Sequence, residues 1–262
     1  MFNSLKMKSF AKSLLSIHAA SQTGLLCLAT AITTPVHAAD DTMAQPTQSV
    51  DGSHLHYLTG KKPDAITLLA PPPLPDSAEQ AADMAEVQAV YHAATSNDIA
   101  AAYSEKKFNI FKFTPAIGAF FQSNNLPKTT AFFERVQTDA KTVTDNAKDY
   151  YNRPRPYVVD PSLGHAQLEK HSSYPSGHST ESMVLALVLA DLFPDKHDAI
   201  VAISRNISWH RVEIGDHYPT DIYAGRVLAQ AIVKQFNKSD AFQHDFAEAK
   251  AEIAAAQAAA NN

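Results

Sequence analysis

The stretch Tyr174-Pro175-Ser176-Gly177-His178-Ser179-Thr180 and the apolar run that follows it to Leu192 decide how this chain folds. Pro175 keeps the residue before it out of helix, and Gly177 leaves the backbone room to turn. A helix therefore starts here, with the amides of Ser176, Gly177 and His178 facing outward together. Such an N-terminus attracts anions through its unpaired N–H groups and its dipole. A plain serine cap, by Ser176 or Ser179, explains the helix start without any ligand. The hydroxyl and the imidazole on the same turn add a hydrogen-bond donor and a titratable acid beside that anion site. Residues 183–190 are apolar on every side, which places this helix at the centre of a bundle.

Outward from that helix, apolar residues recur at spacings of three and four over 77–95, 96–108, 128–151, 178–192, 196–212, 219–237 and 239–260, as with Phe132, Val136, Ala140 and Val143. Alternating patterns are nearly absent. Thr67-Leu68-Leu69-Ala70 is the one strand candidate, and it is too short to found a sheet. The expectation is an all-α fold, a single globular helical-bundle domain over 65–262. Pro71-Pro72-Pro73-Leu74-Pro75 lies as a polyproline segment ahead of the first long helix, which Asp76 or Ser77 caps. The alanine-rich end, 251–260, is expected to be a solvent-facing or frayed helix.

The start of the chain has a different character. Lys6, Lys8 and Lys12 precede a mostly apolar or small stretch, and Val36-His37-Ala38 ends it, so residues 1–38 are expected to be a secretory signal cleaved after Ala38. Leu25 and Leu26 ahead of Cys27 argue against a lipoprotein acceptor. The chain has one cysteine, and it goes with the signal, which excludes disulfides and thiolate catalysis. Residues 39–64 are polar and unpatterned, an extended or flexible arm. Within it His54-Leu55-His56 lacks a third metal ligand. The formal charge of -5 becomes -8 once three signal lysines are gone. An acidic chain is a poor general binder of nucleic acid or anionic membrane, so any phosphate must be held by a local cluster of cations. No later run reaches the roughly 20 apolar residues of a membrane span.

Two clusters flank the central turn. Upstream, Lys148-Asp149-Tyr150-Tyr151-Asn152-Arg153-Pro154-Arg155-Pro156 puts three cations at a helix end. Its X-Pro steps force extended backbone, so the charges either form a solvated patch or converge on an oxyanion. Downstream is His210-Arg211-Val212-Glu213-Ile214-Gly215-Asp216-His217-Tyr218-Pro219-Thr220-Asp221. Pro219 suits the first helical position, which puts Asp221 in the first turn and lets its carboxylate fold back on His217. That contact would fix one ring tautomer and leave the other nitrogen as nucleophile or base.

Taken together, Lys148-x6-Arg155-Pro156, Pro175-Ser176-Gly177-His178 and Arg211-x5-His217-x3-Asp221 resemble the three-part signature of the type 2 phosphatidic acid phosphatase superfamily. Within it, Ser173-Tyr174-Pro175-Ser176-Gly177-His178, the proline run and the exported start resemble the class A bacterial non-specific acid phosphatases. The resemblance covers roughly residues 68–234. It implies a periplasmic, metal-independent acid phosphatase of broad phosphomonoester range, without cofactor, forming a homo-oligomer and capable of phosphotransferase side activity. His217 would attack phosphorus, Asp221 orient it and His178 protonate the leaving alcohol. Lys148, Arg155, Arg211, Ser176 and Gly177 would hold the phosphoryl oxygens. The chain departs from the family at His210, where serine is usual. Ser204-Arg205 supplies that dipeptide, but Arg205 lies too far from His217 in sequence.

A vanadate-dependent haloperoxidase uses the same kind of pocket, and a helical protein that only captures phosphate is the non-catalytic alternative. Gly215-Asp216-His217 alone is too little for a metallophosphatase. Trp209, Phe132-Phe133 and Tyr150-Tyr151 suit core or interface. His92, His197 and His244 suit the surface, and His165 and His171 the rim of a pocket.

Overall fold

A computed structural model describes residues 55–164 and 169–260. The expected signal, His54, His165 and the first part of the arm lie outside these residues. The helices are α1 (Ala65–Leu68), α2 (Ala78–Ala93), α3 (Ser96–Ser104), α4 (Thr114–Ile117), α5 (Pro127–Tyr151), α6 (Pro156–Val159), α7 (Gly177–Leu192), α8 (His197–Glu213), α9 (Pro219–Phe236) and α10 (Asp240–Ala260). No strand occurs among the described residues, so the fold is all-α. The strand candidate at 67–70 falls on the end of α1, whose start Asp64 caps by accepting from the amides of Ile66 and Thr67.

Helix α7 is the centre, packed against α5, α8 and α9. Met183, Val184, Leu185, Ala186, Val188, Leu189 and Ala190 are all buried, the outcome required of a helix apolar all round. The close approach of α9 depends on Gly225. A β-carbon there would stand 2.8 Å from the Ser176 carbonyl oxygen and 2.8 Å from Ser179 Cβ. The Ser179 hydroxyl uses that proximity to donate to the Ile222 carbonyl at 2.7 Å. This contact fixes the first turn of α7, which carries His178, relative to α9, which begins two residues after His217.

Helix α5 buries Phe132, Phe133, Val136, Ala140, Val143 and Ala147 along one stripe, together with two charged residues, Asp139 and Lys148. Buried charges in an apolar stripe need partners. Asp139 receives the backbone amides of His56, Tyr57 and Leu58 at 2.7, 2.8 and 3.0 Å. The described end of the arm is therefore docked, with Tyr57 and Leu58 in the core. Polar composition hid this contact, because its donors are backbone groups rather than side chains.

The alanine-rich end is a helix that mostly faces solvent, as expected, Gln257 included. It is tied down at two places: Glu252 receives the amides of Lys128 and Thr129 at 3.0 and 2.7 Å, which caps the start of α5, and Ile253 is buried. Phe132 and Phe133 are buried, and Trp209 packs on a second apolar cluster around Val87, Tyr157, Val212 and Tyr218, as expected. Tyr151 is partly buried and donates to the Leu69 carbonyl at 3.1 Å, but Tyr150 is exposed and is not a core residue. His92, His197 and His244 are exposed.

Replacing Asp139 with alanine strands three backbone donors, a loss of about 3 kcal/mol at the scale of unsatisfied buried groups. Urea unfolding should show that loss. Amide exchange should accelerate first at residues 56–58 and not in α7.

Candidate active site

The site lies where three chain segments meet. The first is the end of α5 and the turn into α6. Asn152 adopts a left-handed conformation (φ 46°) and its amide closes the helix on the Lys148 carbonyl at 3.0 Å. The Pro154 and Pro156 steps then keep the chain extended, so Arg153 and Arg155 point to different partners. The second segment, 171–174, is tied to the first by Ser173 N–H donating to the Arg153 carbonyl at 2.8 Å. Ser172 Oγ donates to the Lys148 carbonyl at 2.6 Å, and Lys148 Nζ donates back to the carbonyls of Ser172 at 2.6 Å and Ser173 at 3.3 Å.

The third segment is the tight connection from α8 to α9. Gly215 takes φ +69°, a conformation that side chains resist, and a β-carbon there would also press on Leu163 at 3.2 Å. That turn lets the amides of Asp216 and His217 both donate to the Arg211 carbonyl, at 2.9 and 3.2 Å. His217 is thereby fastened to the helix end that carries Arg211. Pro219 opens α9, as its spacing requires, and Asp221 Oδ2 accepts from the Tyr218 amide at 2.9 Å.

Asp221 collects further donors on the same carboxylate. His217 Nδ1 lies 3.2 Å from Oδ2, Ser173 Oγ donates to Oδ2 at 2.5 Å, and Arg153 Nη1 donates to Oδ1 at 2.6 Å. A carboxylate can only accept, so the His217 proton sits on Nδ1 and the lone pair is on Nε2. That atom lies 3.3 Å from Arg155 Nη1. Burial, then Arg155, holds His217 well below the usual imidazole range, and the ring is neutral.

The remaining expected residues come to the same place. Arg155 donates through Nε to the His171 carbonyl at 3.0 Å and through Nη1 to the Asp216 carbonyl at 3.1 Å. Arg211 is buried, donates to the Ala102 carbonyl, and keeps Nε without a hydrogen-bond partner among the described residues. Lys148 is pushed down to about 8 by burial and then by Arg155. His178 Nε2 donates to the Glu105 carbonyl at 3.2 Å, and its ring packs near Phe108 with centroids 5.8 Å apart. Burial and then Arg211 push His178 down to about 4.

The α7 turn needs one correction. Ser176 caps the helix by accepting from the Ser179 amide at 3.3 Å, but its own amide donates to the Asp221 carbonyl at 3.1 Å. It therefore does not face outward with the amides of Gly177 and His178. The turn was drawn as an isolated helix end, whereas α9 packs directly on it. Gly177 has Lys148 beside it, with a β-carbon position 3.8 Å from Lys148 Cε. His171 enters through its backbone carbonyl; its ring lies 3.8 Å from Asp149.

Sequence reading missed Arg153, Ser173, Asp83 and Asp216. Arg153 Nη2 donates to Asp83 Oδ2 at 2.7 Å, and its guanidinium stacks 3.8 Å from the Tyr218 ring centroid. It therefore braces Asp221 rather than facing the cation cluster. The signal was there in part: Arg153 shares the Pro-restricted run with Arg155. Asp83 had none, being one acid on an amphipathic helix. Among the described residues no group of three or more His, Cys, Asp or Glu is arranged to hold a metal ion. No described helix is long and apolar enough to cross a membrane.

The all-α bundle thus brings three buried cations, Lys148, Arg155 and Arg211, to the same site as an imidazole oriented by a carboxylate. Residues 138–239 match the model of the PAP2 superfamily. A protein of Salmonella typhimurium named non-specific acid phosphatase is 29% identical over 150 residues, 54% of this chain; the chain spans 59% of that relative's length. A Providencia stuartii protein of the same name is 28% identical over 216 residues, 76% of this chain and 85% of that one. A solved structure, a transmembrane PAP2-type phosphatidylglycerolphosphate phosphatase from Bacillus subtilis, aligns at TM-score 0.45 and 18% identity, covering 66% of this chain and 90% of its own.

Glu181 stands one turn beyond His178. Its Oε2 accepts from Gln137 Nε2 at 2.9 Å, and burial pushes its carboxyl up to about 7 from 4.5. A carboxyl raised by folding is harmless while protonated in both states and destabilises progressively as pH climbs from the unfolded to the folded value. Glu181→Gln should therefore be neutral at pH 4 and stabilising at pH 8, on the order of 1–3 kcal/mol. Urea titrations at the two pH values measure it.

Proposed function

We propose that the protein is a metal-independent acid phosphatase that hydrolyses a broad range of phosphomonoesters through a phosphohistidine intermediate. The observation that carries this reading is the His217 ring: its Nδ1 is held by Asp221 and Ser173, and its Nε2 lone pair lies beside Arg155. Phosphoryl transfer needs charge neutralisation and alignment more than any special covalent group. Lys148, Arg155 and Arg211 supply three positive charges, and the amides of Gly177 and His178 supply the start of α7. The names of the Salmonella and Providencia relatives support the same activity.

In this reading Nε2 of His217 attacks phosphorus and the P–O bond to the alcohol breaks. His178 gives its proton to the departing oxygen. Its Nε2–H is committed to the Glu105 carbonyl, so the transferable proton is the one on Nδ1. The neutral His178 then takes a proton from water, whose oxygen attacks phosphorus and breaks the P–N bond. Phosphate leaves and both rings return to their starting states. Because His178 sits near 4 in the free site, its proton arrives with the substrate or is held by the substrate's charge. The rate is therefore highest on the acid side of neutrality. It falls at higher pH as that proton is lost, and again as Lys148, near 8, discharges.

Nitrophenyl phosphate turnover with EDTA present, and its block by vanadate, test the reading. Loss of activity on chelation with recovery on adding zinc or magnesium would overturn it. His217→Ala should fall to background. His178→Ala should lose roughly 10²- to 10⁴-fold on an alkyl phosphate and much less on nitrophenyl phosphate, whose leaving group needs no proton. An acid-labile, alkali-stable label should map to His217, and a label on Ser176 would reverse the roles.

Export belongs to the same proposal: residues 1–38 direct the chain to the periplasm and are removed there, and the mature protein forms a homo-oligomer. The active periplasmic species should begin at Ala39 by intact-mass measurement and exceed one chain's mass by light scattering. An active species that retains Met1, or a monomer, would contradict the corresponding part.

A further inference from the structure

His210, the position where the chain departs from the related phosphatases, is placed between two carboxylates. Its Nδ1 lies 2.7 Å from Glu105 Oε2, and its Nε2 lies 4.0 Å from Glu213 Oε2, an oxygen that is buried with no hydrogen-bond partner among the described residues. A neutral imidazole can donate to only one of them; an imidazolium faces both. The bond to Glu105, and the charges of Glu105 and Glu213, raise His210 above the usual imidazole range, against burial and Arg211.

Glu105 ends α3 and touches the site twice more. Its backbone carbonyl accepts from His178 Nε2 at 3.2 Å, and its Oε2 lies 3.9 Å from Arg211 Nη2. One residue thus meets the departure point, the proposed acid and one phosphate cation. Asp98 on α3 also faces His210, while Arg211 faces Asp216, Glu169 and Tyr103 besides Glu105. Of these groups only His210 is a cation that can discharge near neutral pH.

We propose that His210 is a positioning residue for the phosphate site. Protonated, it holds the Glu105 carboxylate on its own ring and so keeps that charge from competing with the substrate's phosphoryl oxygens for Arg211. With His210 neutral or absent, Glu105 is a buried anion whose nearest cation is Arg211. At that separation, out of water, the two opposite charges attract each other more strongly than they would in solvent. Phosphate affinity then weakens while the chemistry at His217, which Glu105 does not touch, is left in place. A group raised by folding gives its stabilisation below the ordinary imidazole range and loses it as pH rises through the folded value, so affinity falls in that direction.

This inference rests on the phosphatase reading, and the test separates the two. Nitrophenyl phosphate kinetics and the binding of inorganic phosphate by calorimetry are measured from pH 4.5 to 8.5. The proteins are wild type, His210→Ser and the double variant Glu105→Gln/His210→Ser, with folding checked by circular dichroism. A wild type that neither turns over substrate nor binds phosphate overturns the phosphatase reading and this inference with it. Otherwise His210→Ser is expected to raise KM and the phosphate Kd about tenfold at pH 5.5 with kcat within about threefold, the pattern of a lost binding contribution. Removing the Glu105 charge in the double variant should return both to within about threefold of wild type. It should remove the His210 limb from the KM profile and leave those of His178 and Lys148. A single variant with wild-type KM and an unchanged pH profile would overturn the role of His210 while leaving the phosphatase reading intact. So would a double variant no better than the single.

Discussion

The Asp221 carboxylate is the constraint on which the site depends. It is fully buried and accepts from the Tyr218 amide, the Ser173 hydroxyl, the Arg153 guanidinium and the His217 ring. These donors come from all three segments of the site. A buried anion is costly to leave unpaired, so the carboxylate forces the end of α5, the irregular stretch at 171–174 and the start of α9 into one arrangement. The Ser176 amide reaches the carbonyl of the same residue, so the first turn of α7 joins them. The histidine's tautomer and the helix that carries its partner histidine are thus set by a single residue.

Charge is arranged around this residue in two layers. Arg153 pairs with both Asp221 and Asp83. Lys148, Arg155 and Arg211 form the other layer, where Asp216 and Glu105 restrain two of them. The cations are held mainly by backbone carbonyls: those of Ser172 and Ser173 for Lys148, His171 and Asp216 for Arg155, and Ala102 for Arg211. A carbonyl orients a cation without cancelling its charge, which keeps these groups attractive to an anion.

Much of this was legible in the sequence, for identifiable reasons. The seven long helices show because apolar residues recur at helical spacing and Ser77 and Pro219 punctuate two of their starts. His217 and Asp221 show because Pro219 fixes the register between them. What stayed hidden are pairings between residues far apart in the chain. Asp83 meets Arg153 across 70 residues, and Glu105 meets His210 across 105; neither spacing leaves a local pattern. Asp139 and Glu252 were hidden for another reason, since their partners are backbone amides that every sequence possesses. The outward-facing Ser176 amide failed because a helix end was judged alone, without the neighbour that Gly225 admits.

The low resting values of His178 and Lys148, near 4 and 8, make anion binding a hydrogen-ion transaction. Both groups are held down chiefly by burial among like charges, and a phosphate arriving beside them reverses that bias. Around pH 5 to 6 the free ring of His178 is neutral, its one proton on Nε2, so in the proposed reading an inorganic phosphate that settles there draws a hydrogen ion from the medium. The measured heat of binding then contains the ionisation heat of whichever buffer supplied it. Apparent enthalpies in acetate and in an amine buffer would differ for one and the same contact.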